Sequence, residues 1–247
     1  MGRTPALQPT GPSPRLITSV DWIRDLSYRL KLLAFIVIAF AVLFVLNTAF
    51  SAINTISRLN VIEAERDRWQ RPADVIQTLD LTPGKVVVDL GCGSGYFTLK
   101  LSGRVGESGR VIAEDIHKLP LAFLWFRTFS RHKRNVSIIH GTLNDPRLPE
   151  QVNSVLISNT YHEFKNPHSI LVHVYQSLVH TGRLVIVDRA PRPGNGPTSE
   201  STEHEVSADH VESEVRREKF EIVSRQDRFV ESDPDHESWW LIVARKP

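Results

Sequence analysis

The chain has 247 residues and a formal net charge of +2, and 41% of its residues are hydrophobic while 23% are charged. This length fits one domain of good size plus an appendage. The balanced charge argues against a surface built for nucleic acid, so we expect no nucleic-acid partner. The single cysteine, Cys92, excludes a disulfide within the chain.

The first 30 residues carry two different patterns. Residues 1–18 are rich in proline and glycine, which predicts a flexible tail. Ser19 is a candidate N-cap for a helix. Apolar side chains then recur at helical spacing, at Trp22, Ile23, Leu26 and Leu30. We therefore predict that residues 1–30 form a tail and a short interfacial helix.

Residues 31–56 form a long apolar stretch, in which no polar residue occurs from Leu32 to Leu46. The stretch is long enough to cross a hydrocarbon core of roughly 30 Å at about 1.5 Å per residue. A cleaved signal peptide and a buried core helix are the alternatives. However, the run exceeds the usual signal-peptide core of roughly 7–15 residues, and it has no polar face. We predict a transmembrane helix that anchors the chain, with an orientation that the flanking arginines leave open.

Residues 57–80 are charged and helical in pattern, which predicts a helix that connects the membrane segment to the domain and caps it. Within this segment lies Trp69-Gln70-Arg71-Pro72. Thr82-Pro83-Gly84 then predicts a turn before the first strand. We expect the remaining residues, 81–247, to form the main domain.

The strongest motif follows this turn. Val86, Val87 and Val88 predict a buried strand, which runs into Asp89 and then into glycines at 91, 93 and 95. A parallel strand, a glycine turn and a helix N-terminus together form a cradle for a nucleotide-like ligand. Tyr96 stands where a dinucleotide fingerprint needs a third small residue, and no Gly-Lys-Ser/Thr follows that would indicate a P-loop.

The D-x-G-x-G-x-G pattern of residues 89–95 resembles motif I of the class I S-adenosylmethionine-dependent methyltransferases. The resemblance implies an α/β Rossmann-like sheet of parallel strands with an antiparallel C-terminal hairpin strand, preceded here by the transmembrane helix. It also implies S-adenosyl-L-methionine as the cofactor. In this family the glycines pass under the methionine part of the cofactor, and the acid at the strand end orders the loop. The resemblance thus assigns cofactor binding to Asp89, Gly91, Cys92, Gly93 and Gly95, with Cys92 filling space.

A second predicted strand, 110–116, ends in Glu114 and Asp115, about twenty residues after the last glycine, where an acid can bind a ribose. By the same resemblance, Asp115 binds the ribose hydroxyls and Ile116 contacts the adenine. The resemblance also implies that Asp145, or Asn144 in second place, meets the adenine amino group. Residues 117–134, which lie between Ile116 and Asn144 in the chain, predict an apolar helix with a basic end. We favour packing of this helix in the core over contact with a bilayer.

A fourth predicted strand, 152–158, is followed by Asn159-Thr-Tyr-His-Glu-Phe164 at the edge where ligands bind in open α/β folds. This segment resembles a bacterial group of class I methyltransferases that is related to the quinone-biosynthesis enzymes. Asn159 is expected to contact the cofactor, and His162 or Glu163 to act as a general base. Tyr161 is expected to stack on cofactor or substrate. The alternative is that these side chains only cap the strand and shape the pocket.

The remaining features concern the C-terminal third. Residues 191–205 predict a loop beside the substrate entrance. By the resemblance, His204 faces the site; the alternative is that it only starts a helix. His162, His204 and His210 have no recognisable metal-ligand spacing, so we expect no metal. The last two predicted strands, 220–224 and 239–244, form an antiparallel hairpin.

The sequence therefore favours a membrane-anchored, S-adenosylmethionine-dependent methyltransferase with its catalytic domain in the cytoplasm, where this cofactor is made. Its acceptor is a small molecule, with lipid-like and quinone-like compounds as the candidates that a membrane anchor suggests. Two alternatives stay open: a tethered S-adenosylmethionine-binding protein without turnover, and a nicotinamide-dependent reductase.

Overall fold

The computed structural model describes residues 19–191, 205–231, 233–234 and 237–247, with side chains from residue 26 onward. The chain divides between Thr55 and Ile56 into two compact units.

The first helix, α1, runs without a break from Ser19 to Trp69. The sequence pattern predicts three successive segments here, but no proline or glycine occurs that would interrupt a single helix. The large apolar side chains from Leu26 to Ile53 are exposed, and α1 is long and apolar enough to cross a membrane, a criterion that a signal sequence also meets. The helix ends at Trp69 because Arg71 adopts a φ of 54°, and Pro72 then begins α2 (Pro72–Thr78).

The second unit is built on a sheet of seven strands in the order β3-β2-β1-β4-β5-β7-β6. Neighbouring strands pair in parallel except for β5 with β7 and β6 with β7, which are antiparallel. The strands are β1 (Val86–Leu90), β2 (Arg110–Asp115), β3 (Val136–His140), β4 (Val152–Ser158), β5 (Leu178–Arg189), β6 (Glu221–Val230) and β7 (Trp239–Arg245). The predicted parallel sheet with an antiparallel C-terminal hairpin is confirmed.

Helices connect the strands and cover both faces of the sheet. They are α3 (Tyr96–Val105), α4 (Lys118–Ser130), α5 (Pro167–Ser177) and α6 (Ala208–Arg217), with a single 3₁₀ turn at Tyr161–Glu163. Consecutive residues of each central strand point to opposite faces, so Val155 and Leu156 belong to two different apolar clusters. Because both faces are covered, the central residues of β4, Val155, Leu156 and Ile157, are all apolar and fully buried.

Strand β5 begins early, at Leu178, and Thr181 and Gly182 exchange backbone hydrogen bonds with Lys246. One sequence-based expectation differs from the structure. The helix predicted at 117–134 ends at Ser130, and only one of its sides is in the core. Leu121 and Leu124 are buried, whereas the aromatic side chains at positions 125, 126 and 129 are exposed.

Candidate functional site

The site lies at the carboxyl edge of the sheet, where the strand order reverses. From β1 the chain passes to β2 and β3 on one side, whereas β4 and β5 lie on the other. This reversal opens a crevice at the ends of β1 and β4. The glycine loop, residues 91–95, follows β1, Asp115 ends β2, and Asn159 follows β4.

Backbone geometry explains the glycines of this loop. Gly91 and Gly93 have φ angles of 74° and 52°, which side-chain-bearing residues rarely adopt. A Cβ on Gly91 would lie 2.2 Å from Cγ2 of Thr160, whereas a Cβ on Gly93 would meet nothing within 4 Å. Gly91 therefore allows close packing against the segment after β4, and Gly93 leaves open space above the loop.

Two cavities flank the glycine loop. The larger, of about 240 Å³, lies between the loop and the last turns of α1 and is lined by Arg66, Asp89 and Asn159 among others. The smaller, of about 80 Å³, lies beside the end of β2 and is lined by Asp115 and Ile116 among others. Gly91 and Thr160 line both. These two residues therefore form a wall that the cavities share.

The two strand-end acids bond on either side of the glycine loop, Asp89 to helix α3 and Asp115 to the loop itself. Asp89 is buried and lines the larger cavity, and its Oδ2 accepts a hydrogen bond from Oγ1 of Thr98 at 2.5 Å. Burial raises the pKa of Asp89 to about 6. Asp115 accepts a hydrogen bond from the backbone nitrogen of Gly93 at 2.9 Å and another from that of His117 at 2.7 Å. Its carboxylate thus supports the loop and also faces the smaller cavity.

Glu114 is a buried acid whose importance the sequence reasoning missed. It lines the smaller cavity with only 3% of its surface exposed, and its Oε1 has no hydrogen-bond partner among the described residues. Burial, together with the charge of Asp115, raises the pKa of Glu114 to about 8, so the side chain is largely protonated at neutral pH. Gly141 makes room for it, because a Cβ there would overlap Oε1. In the sequence, the signal that could have identified Glu114 was a charged residue inside the otherwise apolar strand β2.

Arg66 is the second residue that the sequence reasoning missed. Its guanidinium lies 4.0 Å from the ring centre of Tyr96, and its Nε donates a hydrogen bond to Oε1 of Gln70 at 2.8 Å. Burial lowers the pKa of Arg66. Within the described part of the chain, no carboxylate oxygen lies within 4.0 Å of this guanidinium. The larger cavity therefore contains a cation without a partner anion.

An ion pair holds this part of α1 against the loop. Arg127 on α4 is 1% exposed and binds both carboxylate oxygens of Glu63, with Nη1 2.8 Å from Oε1 and Nη2 2.5 Å from Oε2. Nη1 also donates to the carbonyl of Ser94 at 2.6 Å. Such a bidentate contact fixes orientation as well as position. One arginine thus joins α4, the glycine loop and the end of α1.

The segment after β4 is only partly at the cavities. Tyr161 is buried outside both of them, and its hydroxyl donates to Oε2 of Glu214 at 2.7 Å, so stacking on a ligand does not fit its position. Glu163 is exposed and lines the smaller cavity. His162 lines neither cavity, and its Nδ1 lies 2.8 Å from Oδ1 of Asp188. Burial alone would lower the pKa of His162, but the bond to Asp188 raises it overall.

The other predicted residues have mixed positions. Ile116 lines the smaller cavity, whereas neither Asn144 nor Asp145 is among the described residues that line the two cavities. The Asp145 carboxylate instead accepts from the backbone nitrogen of Arg147 at 2.7 Å. His204 and residues 192–203 lie outside the described residues.

These residues fit S-adenosylmethionine, which has a nucleoside at one end and a charged amino acid at the other. The larger cavity offers the unpaired guanidinium of Arg66. It also offers the side-chain oxygens of Ser158 and Asn159, which are buried and have no hydrogen-bond partner among the described residues. The smaller cavity offers Asp115, the protonated Glu114 and the apolar side chain of Ile116. Gly91 and Thr160 line both cavities, so the two sites are neighbours on either side of these residues.

Comparisons with known proteins agree with this fit. The family described as "Methyltransferase domain" matches residues 81–243, which is more than half of the chain. A demethylmenaquinone methyltransferase of Shouchella clausii is 34% identical over 73 residues, or 30% of each chain. A 2-phytyl-1,4-naphtoquinone methyltransferase of Thermosynechococcus vestitus is 31% identical over 121 residues, or 49% of this chain and 52% of that one. The chain thus matches about half, or less, of the length of these relatives.

A solved structure shares the fold along nearly its whole length. The S-adenosylmethionine-dependent methyltransferase of Aquifex aeolicus superposes with a TM-score of 0.64 at 21% identity, and the match covers 77% of this chain and 98% of that one. The sheet order, the glycine loop and the family match agree. The chain therefore belongs to the class I S-adenosylmethionine-dependent methyltransferases and is related to their quinone-methylating members.

Proposed function

We propose that this protein methylates a small, quinone-like acceptor that reaches it from a membrane. The observation that carries the proposal is the pair of neighbouring cavities that share Gly91 in their walls, because each offers groups that one end of the cofactor requires. The cofactor supplies an electrophilic methyl group on its sulfonium. Family membership removes the nicotinamide-dependent reductase from consideration.

In this proposal the smaller cavity binds the nucleoside. Asp115 accepts hydrogen bonds from the ribose hydroxyls, and Ile116 and Leu143 contact the base from the cavity wall. Glu114, which carries its proton at neutral pH, donates a hydrogen bond into the same space. Asn144 and Asp145 remain candidates for the adenine amino group only through a rearrangement of their loop.

The larger cavity binds the other end of the cofactor and the acceptor. Arg66 holds a carboxylate there, since an unpaired guanidinium in a partly buried position favours an anion. Asp89 and Gly93 keep the loop open beneath it. Holding the two reacting atoms in line contributes most of the rate enhancement for such a transfer. Of the two candidate bases for the proton of the acceptor, Glu163 is the better placed, because it lines the smaller cavity whereas His162 lines neither.

The wall of the larger cavity suggests an apolar acceptor. Leu59 and Ile62 of α1 line it and follow the apolar stretch by only a few residues. Both curated relatives carry a quinone in their names. An acceptor that partitions into lipid would therefore meet apolar side chains on its way to the loop.

We further propose that the apolar part of α1 is an uncleaved membrane anchor and that the catalytic unit faces the cytoplasm. The length and hydropathy of the helix support the anchor. The cytoplasmic side follows from the need for the cofactor and does not rest on charge bias.

The test is transfer of labelled methyl groups from S-adenosylmethionine in host membranes that carry the full-length protein. We expect label in the organic phase from the unchanged protein and none from Asp89→Ala. The exposed change Val223→Ala is the matched control and keeps full activity. Label confined to the aqueous phase would refute a membrane-derived acceptor.

One observation favours a second candidate, a cofactor-binding protein without turnover. Tyr161 and His162 line neither cavity. Tight binding of S-adenosylhomocysteine together with no labelled product from any host extract would support this alternative over methyl transfer.

A further inference from the structure

Helix α4 has two apolar faces. Leu121 and Leu124 are buried against Cys92 and Ala113. A second stripe faces outward at helical spacing, and we call it the outer face of α4: Leu119, Ala122, Trp125, Phe126 and Phe129. Trp125 and Phe129 are 60% and 71% exposed, and their rings stack with centroids 5.6 Å apart. Exposed apolar patches of this kind mark interaction surfaces.

The charge around the outer face is one-sided. No aspartate or glutamate occurs from Ile116 to Asn144, a stretch that contains Lys118, Arg127 and a basic cluster immediately after α4. Arg127 is neutralised by Glu63, but the cluster, Arg131, Lys133 and Arg134, is at least partly exposed. Large aromatic side chains beside clustered lysine and arginine are typical of segments that lie on anionic bilayers.

The end of α4 is also tied to the part of the chain next to the proposed anchor. Nη2 of Arg131 donates a hydrogen bond to Oδ1 of Asn60 at 2.9 Å. Asn60 follows Ile56, the last residue of the apolar stretch, by four positions, which span at most about 14 Å in any conformation. This step rests on the anchor proposed above: if the apolar stretch lies in a bilayer, the basic cluster is within reach of its surface.

We propose that the outer face of α4 lies in the headgroup region of an anionic bilayer and gives the catalytic unit a membrane contact of its own. The aromatic rings occupy the interface, where Trp and Phe are favoured, and the basic cluster binds lipid phosphates. The contact holds the unit beside the lipid from which the acceptor comes.

The test uses the full-length protein reconstituted into vesicles of equal parts phosphatidylcholine and phosphatidylglycerol. A nitroxide is attached at Phe129→Cys, with the exposed Val223→Cys on β6 as the matched control. Cys92 is 8% exposed and burial raises its pKa, so the introduced thiol is labelled selectively. Accessibility to oxygen and to a nickel chelate then reports whether the label lies in lipid or in water.

We expect the ratio of oxygen to nickel accessibility at position 129 to exceed that at position 223 several-fold. The ratio should fall when Lys133→Glu and Arg134→Glu are added, or when only phosphatidylcholine is used. Equal accessibility of positions 129 and 223 to the nickel chelate would overturn the proposal. Spin–spin broadening between labels that persists in detergent would overturn it in favour of a second copy of the chain.

Extraction with alkaline carbonate separates this proposal from the anchor. If the protein stays in the vesicles while position 129 is accessible to the nickel chelate, the anchor is supported and the contact through α4 is refuted. If the protein is extracted but position 129 was protected before extraction, the anchor is refuted and the contact is supported.

Discussion

The larger and smaller cavities share Gly91 and Thr160 in their walls, yet each contains a different unusual ionisable group. The larger contains an unpaired cation, Arg66, whereas the smaller contains Glu114, an acid that burial keeps protonated near neutral pH. A ligand that spans both can place an anion beside Arg66 and a hydrogen-bond acceptor beside Glu114. The comparison shows that the two sides of the glycine loop offer different chemical environments.

We expect the largest effect from a substitution at Gly91, which lines both cavities. In Gly91→Ala the new Cβ overlaps Thr160 and the backbone keeps a positive φ, so we expect the free energy of unfolding to fall by about 2–4 kcal/mol. Binding of S-adenosylhomocysteine should be lost. Gly103→Ala in α3 is the control, because its Cβ meets nothing within 4 Å. Calorimetry and denaturant unfolding measure both, and equal stability of the two variants would contradict the prediction.

Arg66→Met tests the larger cavity alone. Loss of a charge-assisted contact should weaken S-adenosylhomocysteine about ten- to one-hundredfold. Binding of methylthioadenosine, which lacks the amino-acid end, should change little. Arg68→Met, an exposed change on the same helix, should affect neither ligand. Equal weakening of both ligands by Arg66→Met would show that Arg66 acts through the fold and not through the carboxylate.

Glu114→Gln tests the smaller cavity through pH. Because the pKa of Glu114 rises from 4.5 unfolded to about 8 folded, the native state binds the extra proton between these values, and its stability falls as the pH rises through them. Glutamine removes this loss. We expect the variant to gain stability over the unchanged protein between about pH 5 and pH 8, reaching on the order of a few kcal/mol.

Thermal unfolding at a series of pH values measures this gain. Glu107→Gln, which changes an exposed acid in a turn, serves as the comparison and should follow the unchanged protein throughout. A gain that does not depend on pH would mean that Glu114 is ionised in the folded protein.

His162→Gln should have the smallest effect on turnover. A general base contributes about 100-fold or more to a rate, but His162 lines neither cavity and is held by Asp188, so we expect kcat to fall less than tenfold. His168→Gln, on the exposed start of α5, is the control. A loss above 100-fold with an unchanged thermal midpoint would identify His162 as the base.

The sequence was sufficient wherever local chemistry determines structure. The glycines at 91, 93 and 95, the apolar residues of β1 and β4, and the acid that ends β2 all predict the sheet and the loop directly. They could be identified because a positive φ, a doubly covered strand and a strand-end acid each demand particular residue types.

What the sequence could not supply depends on contacts between distant segments. The position of Arg66 over Tyr96 depends on the end of α1 packing against the loop, which Glu63 and Arg127 fix from far apart in the chain. What distinguishes Glu114 from Asp115 is a contact with Gly141, directly after β3, whose missing side chain makes room for it. Likewise, the exposure of Trp125 could not be foreseen, because α4 is apolar on both faces.

The burial of Cys92 has a practical consequence. Its thiol lines the larger cavity from within the glycine loop, and burial together with neighbouring acids raises its pKa, so we expect it to react slowly with alkylating reagents. A ligand that fills this cavity should slow the reaction further, in proportion to its occupancy. The rate of alkylation therefore gives a binding assay that needs no substrate and no engineered probe.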